Sequence, residues 1–153
     1  MVKVGEKVEN FKVTASNGEE VQLSDFHGKY VVLYFYPKDM TPGCTTEACS
    51  FRDQHTNFAD LDAVILGVSG DPLDKHKKFV EKHGLPFLLL VDDDQQLAKY
   101  YDVLKPKKMF GKEFIGIERS TFLIDKEGKL VKEWRKVKVN GHVEEVLNFI
   151  KTM

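Results

Sequence analysis

Three short apolar runs constrain the fold of this 153-residue chain more than any other feature. They cover residues 31–36 (VVLYFY), 63–69 (AVILGVS) and 85–91 (LPFLLLV). Each run is rich in β-branched, aromatic or leucine side chains and is short, which predicts a buried β-strand. Helical patterns lie between the runs. Because apolar strands alternate with helices, we predict an α/β fold with a sheet that helices cover on both faces.

The segments around these runs add two hairpins. Residues 11–14 and 21–23 flank Ser16-Asn17-Gly18, a turn signal, and therefore predict an N-terminal β-hairpin. Residues 120–124 and 130–136 predict an antiparallel pair near the C-terminus.

Helices and loops are indicated by caps and breakers. After the second apolar run, Asp71 is expected to cap a helix that begins at Pro72 and ends at Gly84. A short helix is expected from Asp92-Asp93-Asp94 to Tyr101. Residues 105–116 are expected to form a loop, because they contain one proline and two glycines. An amphipathic helix ends the chain, with an apolar stripe formed by Val143, Val146, Leu147 and Ile150.

Length and charge limit the classes of function. A chain of this size is expected to form a single domain, residues 1–153. With 23 Lys and Arg against 24 Asp and Glu, its net charge of −1 gives no reason to expect binding to nucleic acid or to a membrane surface. No apolar run approaches the ~20 residues that span a bilayer. The N-terminus has no signal or transit character, so the cytoplasm is the expected compartment.

Both cysteines of the chain follow the first apolar run closely. Thr41 and Pro42 are typical of an N-cap and a first helical residue. The predicted helix presents one face made of Ala48, Phe51, His55 and Phe58. Cys44 is then the third helical residue, where free N–H groups and the positive end of the helix dipole favour an anion. A thiol in such a position tends to ionise, and the thiolate is the nucleophilic form.

Cys49 lies five residues further along the same predicted helix. Five helical residues rotate by ~140° and place the two Cα atoms ~8.7 Å apart, whereas a disulfide requires Cα atoms within ~7 Å. This geometry disfavours a permanent disulfide and suits a transient one that forms when the helix locally unwinds. The spacing also differs from the C-x-x-C of dithiol oxidoreductases and zinc sites. Two inert buried thiols are the alternative interpretation.

The sequence resembles a known family around these cysteines. Residues 37–44, PKDMTPGC, are similar to the P-x-x-x-T-x-x-C motif of the peroxiredoxins, which are thiol peroxidases with a thioredoxin-like fold. The second cysteine five residues later resembles the peroxiredoxin Q branch, also called bacterioferritin comigratory protein. The similarity continues through residues 107–112 and 116–125. Many relatives carry A-P-x-F near the N-terminus, where this chain has VENF at residues 8–11.

The resemblance implies an activity and its partners. We expect an antioxidant peroxidase that reduces hydrogen peroxide and organic hydroperoxides, with Cys44 as the peroxidatic and Cys49 as the resolving cysteine. The two would form an intramolecular disulfide, which thioredoxin or a similar dithiol donor would reduce. No metal and no other cofactor is expected, and the expected state is a monomer. The implied fold is a thioredoxin-like mixed sheet flanked by helices.

The resemblance also assigns supporting residues. A helix N-terminus contributes typically ~0.3–1 kcal/mol to stabilising an anion, less than the ~3.4 kcal/mol that makes an ordinary thiol mostly ionised at pH 7. A cation is therefore needed, and Arg119 matches the family's arginine; sequence order alone does not select it over Arg52 or Arg135. Thr41 is expected to cap the backbone N–H of Cys44 and, by resemblance, to orient the peroxide. Pro37 ends a strand and, by resemblance, shields the thiolate from water.

Two other functions remain open from the sequence. A disulfide oxidoreductase would have the same fold, and a redox-responsive interaction protein would use the disulfide as a signal. Catalytic turnover of peroxide separates an enzyme from a sensor, which reacts once.

Overall fold

The computed structural model describes residues 2–153. Nine strands and five α-helices follow one another within this range, residues 2–153. The strands are β1 (Lys12–Ala15), β2 (Glu20–Gln22), β3 (Tyr30–Phe35), β4 (Ala63–Ser69), β5 (Leu88–Val91), β6 (Leu104–Met109), β7 (Lys112–Ile117), β8 (Ser120–Ile124) and β9 (Leu130–Trp134). The α-helices are α1 (Pro42–Asp53), α2 (His55–Asp60), α3 (Leu73–His83), α4 (Gln96–Tyr100) and α5 (His142–Lys151). A short 3₁₀-helix covers Leu23–Phe26.

Seven strands form a mixed sheet in the order β2-β1-β5-β4-β3-β8-β9. The three strands built from the apolar runs, β3, β4 and β5, are parallel, whereas β8 pairs with β3 in antiparallel register. The sheet has a core on each face. One core contains Tyr34, Phe51 and Phe79, and the other contains Phe35 and Phe122. The predicted α/β fold, with its N-terminal hairpin and a sheet covered on both faces, is therefore confirmed.

The prediction of a loop over residues 105–116 was wrong. This segment forms β6 and β7, a separate two-stranded hairpin. Its two-residue turn, Phe110-Gly111, has positive φ at both positions, as a tight hairpin turn requires. Pro106 is compatible with pairing because the ribbon consists of two edge strands, where proline is tolerated.

Two helix predictions also need correction. The helix expected through Phe58 is interrupted at Gln54, which ends α1 and precedes α2, although Phe51 and Phe58 are both buried as the pattern indicated. The helix after β4 has Pro72 as its N-cap, and not Asp71. The side chain of Asp71 instead accepts hydrogen bonds from Ser69 Oγ and from the backbone N–H of Asp39.

Candidate active site

The candidate site lies where the central strand β3 leads into α1. Cys44 is the third residue of α1, as the sequence predicted, and only 2% of it is exposed. It packs in the core cluster that also contains Tyr36 and Ala48. The thiol is therefore held at a helix N-terminus and largely shielded from solvent, where any charge it carries must be stabilised by the protein.

Arg119 supplies that stabilising charge. Its Nη2 donates to Cys44 Sγ at 3.3 Å. Arg119 immediately precedes β8, and the pairing of Ser120 with Phe35 places it at the end of β3 where α1 begins. Gly43 permits this approach, because a Cβ there would lie 3.3 Å from Nη2 of the guanidinium.

Sequence reasoning missed Glu47, which is completely buried and accepts a hydrogen bond from Nη1 of Arg119 at 2.7 Å. Its second carboxylate oxygen, Oε2, has no hydrogen-bond partner in the described structure. Burial raises the pKa of Glu47 from 4.5 to about 7, against the opposing effect of Arg119. The available signal was a carboxylate within the buried stripe of α1, three residues after Cys44 and four before Phe51.

Arg119 therefore donates hydrogen bonds to two groups that can carry negative charge, the Glu47 carboxylate and the Cys44 sulfur. Burial disfavours its charge, but Glu47 and Cys44 outweigh that effect and raise the pKa of Arg119 above its ordinary value. A second cation, Lys107, is located on β6. Its pKa is lowered mainly by burial and to a smaller extent by the positive charge of Arg119. Cys44 thus lies near two cationic side chains, and the nearer one is shared with the buried carboxyl group of Glu47.

Thr41 occupies the N-cap position of α1 but does not cap it with its side chain. The hydroxyl donates instead to the carbonyl oxygen of Lys38 at 2.8 Å. The predicted hydrogen bond from the backbone N–H of Cys44 to this hydroxyl is therefore wrong. A hydroxyl that donates in this way keeps its lone pairs free to accept. Pro37 follows β3 and is exposed at the start of the loop to α1.

The loop between Pro37 and Thr41 is fixed by a buried hydrogen-bond network that the sequence did not reveal. His76 Nδ1 lies 2.6 Å from Asp39 Oδ2, and the other oxygen of Asp39 accepts from the hydroxyl of Tyr36. His76 Nε2 lies 2.8 Å from the carbonyl oxygen of Leu90. Both ring nitrogens of His76 therefore lie within hydrogen-bonding distance of oxygen atoms, and the contacts join the loop to α3 and to β5.

Cys49 faces a different neighbour from Cys44. It is half-buried, free of any disulfide, and its Sγ lies 3.8 Å from Nδ1 of His83 on α3. The two thiols therefore contact different side chains while α1 is helical, in agreement with the rotation calculated from their spacing.

Neither a metal site nor a membrane span is found in the part of the chain that the structure describes. Across residues 2–153, His, Cys, Asp and Glu side chains form no group of three or more that could hold a metal ion. Within the same range, no helix has both the length and the apolar character needed to cross a membrane.

The arrangement defines a class of protein. A shielded cysteine in the first turn of a helix, next to the central strand of a mixed sheet and beside a guanidinium, is typical of thiol-dependent redox proteins. Comparison with known proteins identifies the family within this class. The sequence pattern of the AhpC/TSA family matches residues 4–133.

Relatives and solved structures agree with this assignment. The chain is 65% identical over 152 residues to peroxiredoxin Bcp of Bacillus subtilis, covering 99% of this chain and 97% of that protein. Its fold matches Xanthomonas campestris peroxiredoxin Q with a TM-score of 0.89 and 46% identity, covering 93% and 90% of the two chains. The match to Xylella fastidiosa PrxQ has a TM-score of 0.94 and 42% identity, covering 99% and 97%. The chain therefore belongs to the AhpC/TSA family, in the Bcp or peroxiredoxin Q branch, and is a thiol peroxidase with a thioredoxin fold.

Proposed function

We propose that this peroxiredoxin reduces hydrogen peroxide and organic hydroperoxides through Cys44, resolves the product with Cys49, and is recycled by thioredoxin or a similar dithiol donor. The main supporting observation is the 3.3 Å contact between Nη2 of Arg119 and Sγ of Cys44 in the first turn of α1. A guanidinium keeps its charge at every relevant pH and so stabilises a neighbouring thiolate.

In the first step, the Cys44 thiolate attacks one oxygen of the peroxide and the O–O bond breaks. The departing oxygen leaves as water or an alcohol once it is protonated, and Cys44 becomes a sulfenic acid. Arg119 stabilises the negative charge that moves across the two oxygens. The Thr41 hydroxyl, which donates to Lys38, can accept the hydrogen bond of the peroxide O–H. Pro37, at the entry to the loop, limits the access of water to the thiolate.

In the second step, Cys49 condenses with the sulfenic acid to form a disulfide and release water. Two Cα atoms five helical residues apart are ~8.7 Å from each other, beyond the ~7 Å that a disulfide spans, so α1 must unwind locally. Gly43 in the first turn lowers the cost of unwinding, because glycine weakens helices.

In the last step, a dithiol donor restores both thiols by exchange. The groups invoked in the first two steps all come from one chain, and we propose a monomeric, single-domain enzyme that acts in the cytoplasm. Support for organic substrates comes from the bacterioferritin comigratory protein of Xanthomonas campestris, which has been analysed for alkyl peroxide reduction activity.

A peroxidase assay coupled to thioredoxin tests the proposal. The wild-type protein should consume hydrogen peroxide and an alkyl hydroperoxide over many turnovers, and Cys44→Ser should be inactive. Cys49→Ser should form the sulfenic acid but no intramolecular disulfide. If Cys49→Ser blocks the first oxidation as completely as Cys44→Ser, the two roles are wrongly assigned. A single turnover in the wild type would point to a redox sensor, and thiol exchange without peroxide turnover to a disulfide oxidoreductase.

A further inference from the structure

The contact of Cys49 with His83 has no part in the peroxide step. Sγ of Cys49 lies 3.8 Å from Nδ1 of His83, which is within reach of a hydrogen bond to sulfur, since sulfur bonds are longer than those to oxygen. His83 is the last residue of α3, 34 positions along the chain from Cys49.

The position of the imidazole is fixed from two sides. Nη1 of Arg52, in the last turn of α1, donates to the carbonyl oxygen of His83 at 2.8 Å, which ties the end of α3 to the end of α1. The ring of Phe79 packs edge-on against the imidazole, with centroids 5.4 Å apart. The imidazole is therefore presented to the thiol by backbone and packing contacts, and not by chance rotation of an exposed side chain.

The pair lies beside a helix end and a pair of charged side chains. His83 is the last residue of α3, and the negative end of a helix dipole attracts positive charge. The guanidinium of Arg52, three residues after Cys49 on α1, pairs with Asp53 at 3.0 Å. Asp53 first, and then Cys49, raises the pKa of Arg52 above its ordinary value.

We propose that His83 is the general base of the resolving step and removes the proton of Cys49. The proposal rests on the assignment of Cys49 as the resolving cysteine. The S–H bond of Cys49 breaks and its proton moves to Nδ1 of His83. The thiolate then attacks Sγ of Cys44, the S–O bond of the sulfenic acid breaks, and the departing hydroxide takes up a proton to become water. No external oxidant or reductant is consumed in this step.

The order of events follows from the contacts. Cys49 faces His83 only while α1 is helical, so the proton moves before α1 unwinds. Unwinding then breaks the contact with the imidazole and carries an already ionised thiol toward Cys44. A purely structural role for His83, as a packing residue that holds α1 against α3, is the competing explanation.

The size of the expected effect follows from acid–base equilibrium. An ordinary cysteine thiol is about 3% ionised at pH 7. A base that keeps the resolving thiol ionised therefore accelerates disulfide closure by up to about 30-fold at pH 7. The advantage shrinks as pH rises and vanishes well above about pH 8.5, where any thiol ionises unaided.

The test compares the wild type with His83→Gln and His83→Ala in rapid-mixing experiments with hydrogen peroxide, from about pH 6 to about pH 9.5. Sulfenic acid formation and disulfide closure are followed separately, by fluorescence and by quenched mass spectrometry. The matched control is His27→Gln, an exposed histidine whose ring lies beside Gly128, toward the opposite end of β3.

Both His83 variants should form the sulfenic acid at the wild-type rate and close the disulfide about 5- to 30-fold more slowly at pH 7. Closure should become as fast as in the wild type near pH 9.5, and added imidazole should accelerate it in His83→Ala. A slowing of the same factor at every pH, or no slowing, overturns the role of His83 while leaving that of Cys49 intact. Failure of the wild type itself to form the Cys44–Cys49 disulfide overturns both.

Discussion

Replacing Glu47 by glutamine removes a carboxylate that is completely buried and bonded to Arg119. Removing one partner of a buried ion pair ordinarily costs ~3–5 kcal/mol. At this position we expect a different result, because one carboxylate oxygen has no partner and burial already raises the pKa of Glu47 from 4.5 to about 7. The charged form of Glu47 is therefore poorly stabilised in the folded protein.

The sign and the magnitude follow from proton linkage. Between pH 4.5 and about 7 the folded protein holds a proton on Glu47 that the unfolded chain has lost. The wild type therefore loses stability as pH rises through this window, and the loss is complete above it. Since each pKa unit corresponds to about 1.4 kcal/mol, the total contribution is about 3 kcal/mol. Glu47→Gln lacks this contribution because an amide does not ionise in that range.

Urea unfolding of the reduced proteins at several pH values tests the prediction. Relative to the wild type, Glu47→Gln should gain about 3 kcal/mol in free energy of unfolding between pH 4.5 and about pH 7.5. Glu81→Gln, at an exposed position of α3, serves as the control and should follow the wild type throughout. If Glu47→Gln instead loses stability relative to the wild type as pH rises, Arg119 outweighs burial and the reasoning is refuted.

Three further predictions concern the packing and motion around the site. Gly67→Ala should lower the free energy of unfolding by about 1–3 kcal/mol, since its Cβ would lie 2.7 Å from a methyl carbon of Leu89; an unchanged urea midpoint would contradict this. His76→Gln should cost about 1–3 kcal/mol in the same measurement by removing a hydrogen-bond partner of the buried Asp39 side chain, and should slow the peroxide step by loosening the loop to α1. Hydrogen exchange across residues 41–52 should rise on oxidation and fall again on reduction; equal protection in both states, with the disulfide verified by mass spectrometry, would exclude unwinding of α1.

Much of the fold follows from local features of the sequence. The apolar run of residues 63–69 corresponds to β4. Helix α3 ends at Gly84 because this glycine adopts the left-handed conformation. The prediction failed at one hairpin, that of β6 and β7. Residues 105–116 contain proline and glycine, yet they form a hairpin because each strand satisfies the other's backbone groups.

In the candidate site too, local features could be predicted from the sequence and long-range contacts could not. The position of Cys44 in the first turn of α1 follows from Thr41 and Pro42, because helix starts are set by neighbouring residues. Arg119 was identified by family resemblance alone, since it lies 75 positions from Cys44 in the chain and reaches it only through the pairing of β8 with β3.

What the sequence determined by itself is therefore the strands of the central sheet, the start of α1 and the residue types available for thiol chemistry. What only the tertiary structure decided is which charged groups meet. Glu47 contacts Arg119 across 72 positions, Asp39 contacts His76 across 37, and Cys49 contacts His83 across 34. Helix and strand patterns depend on interactions within a few residues, whereas these contacts depend on the order of strands in the sheet and on the packing of α1 against α3.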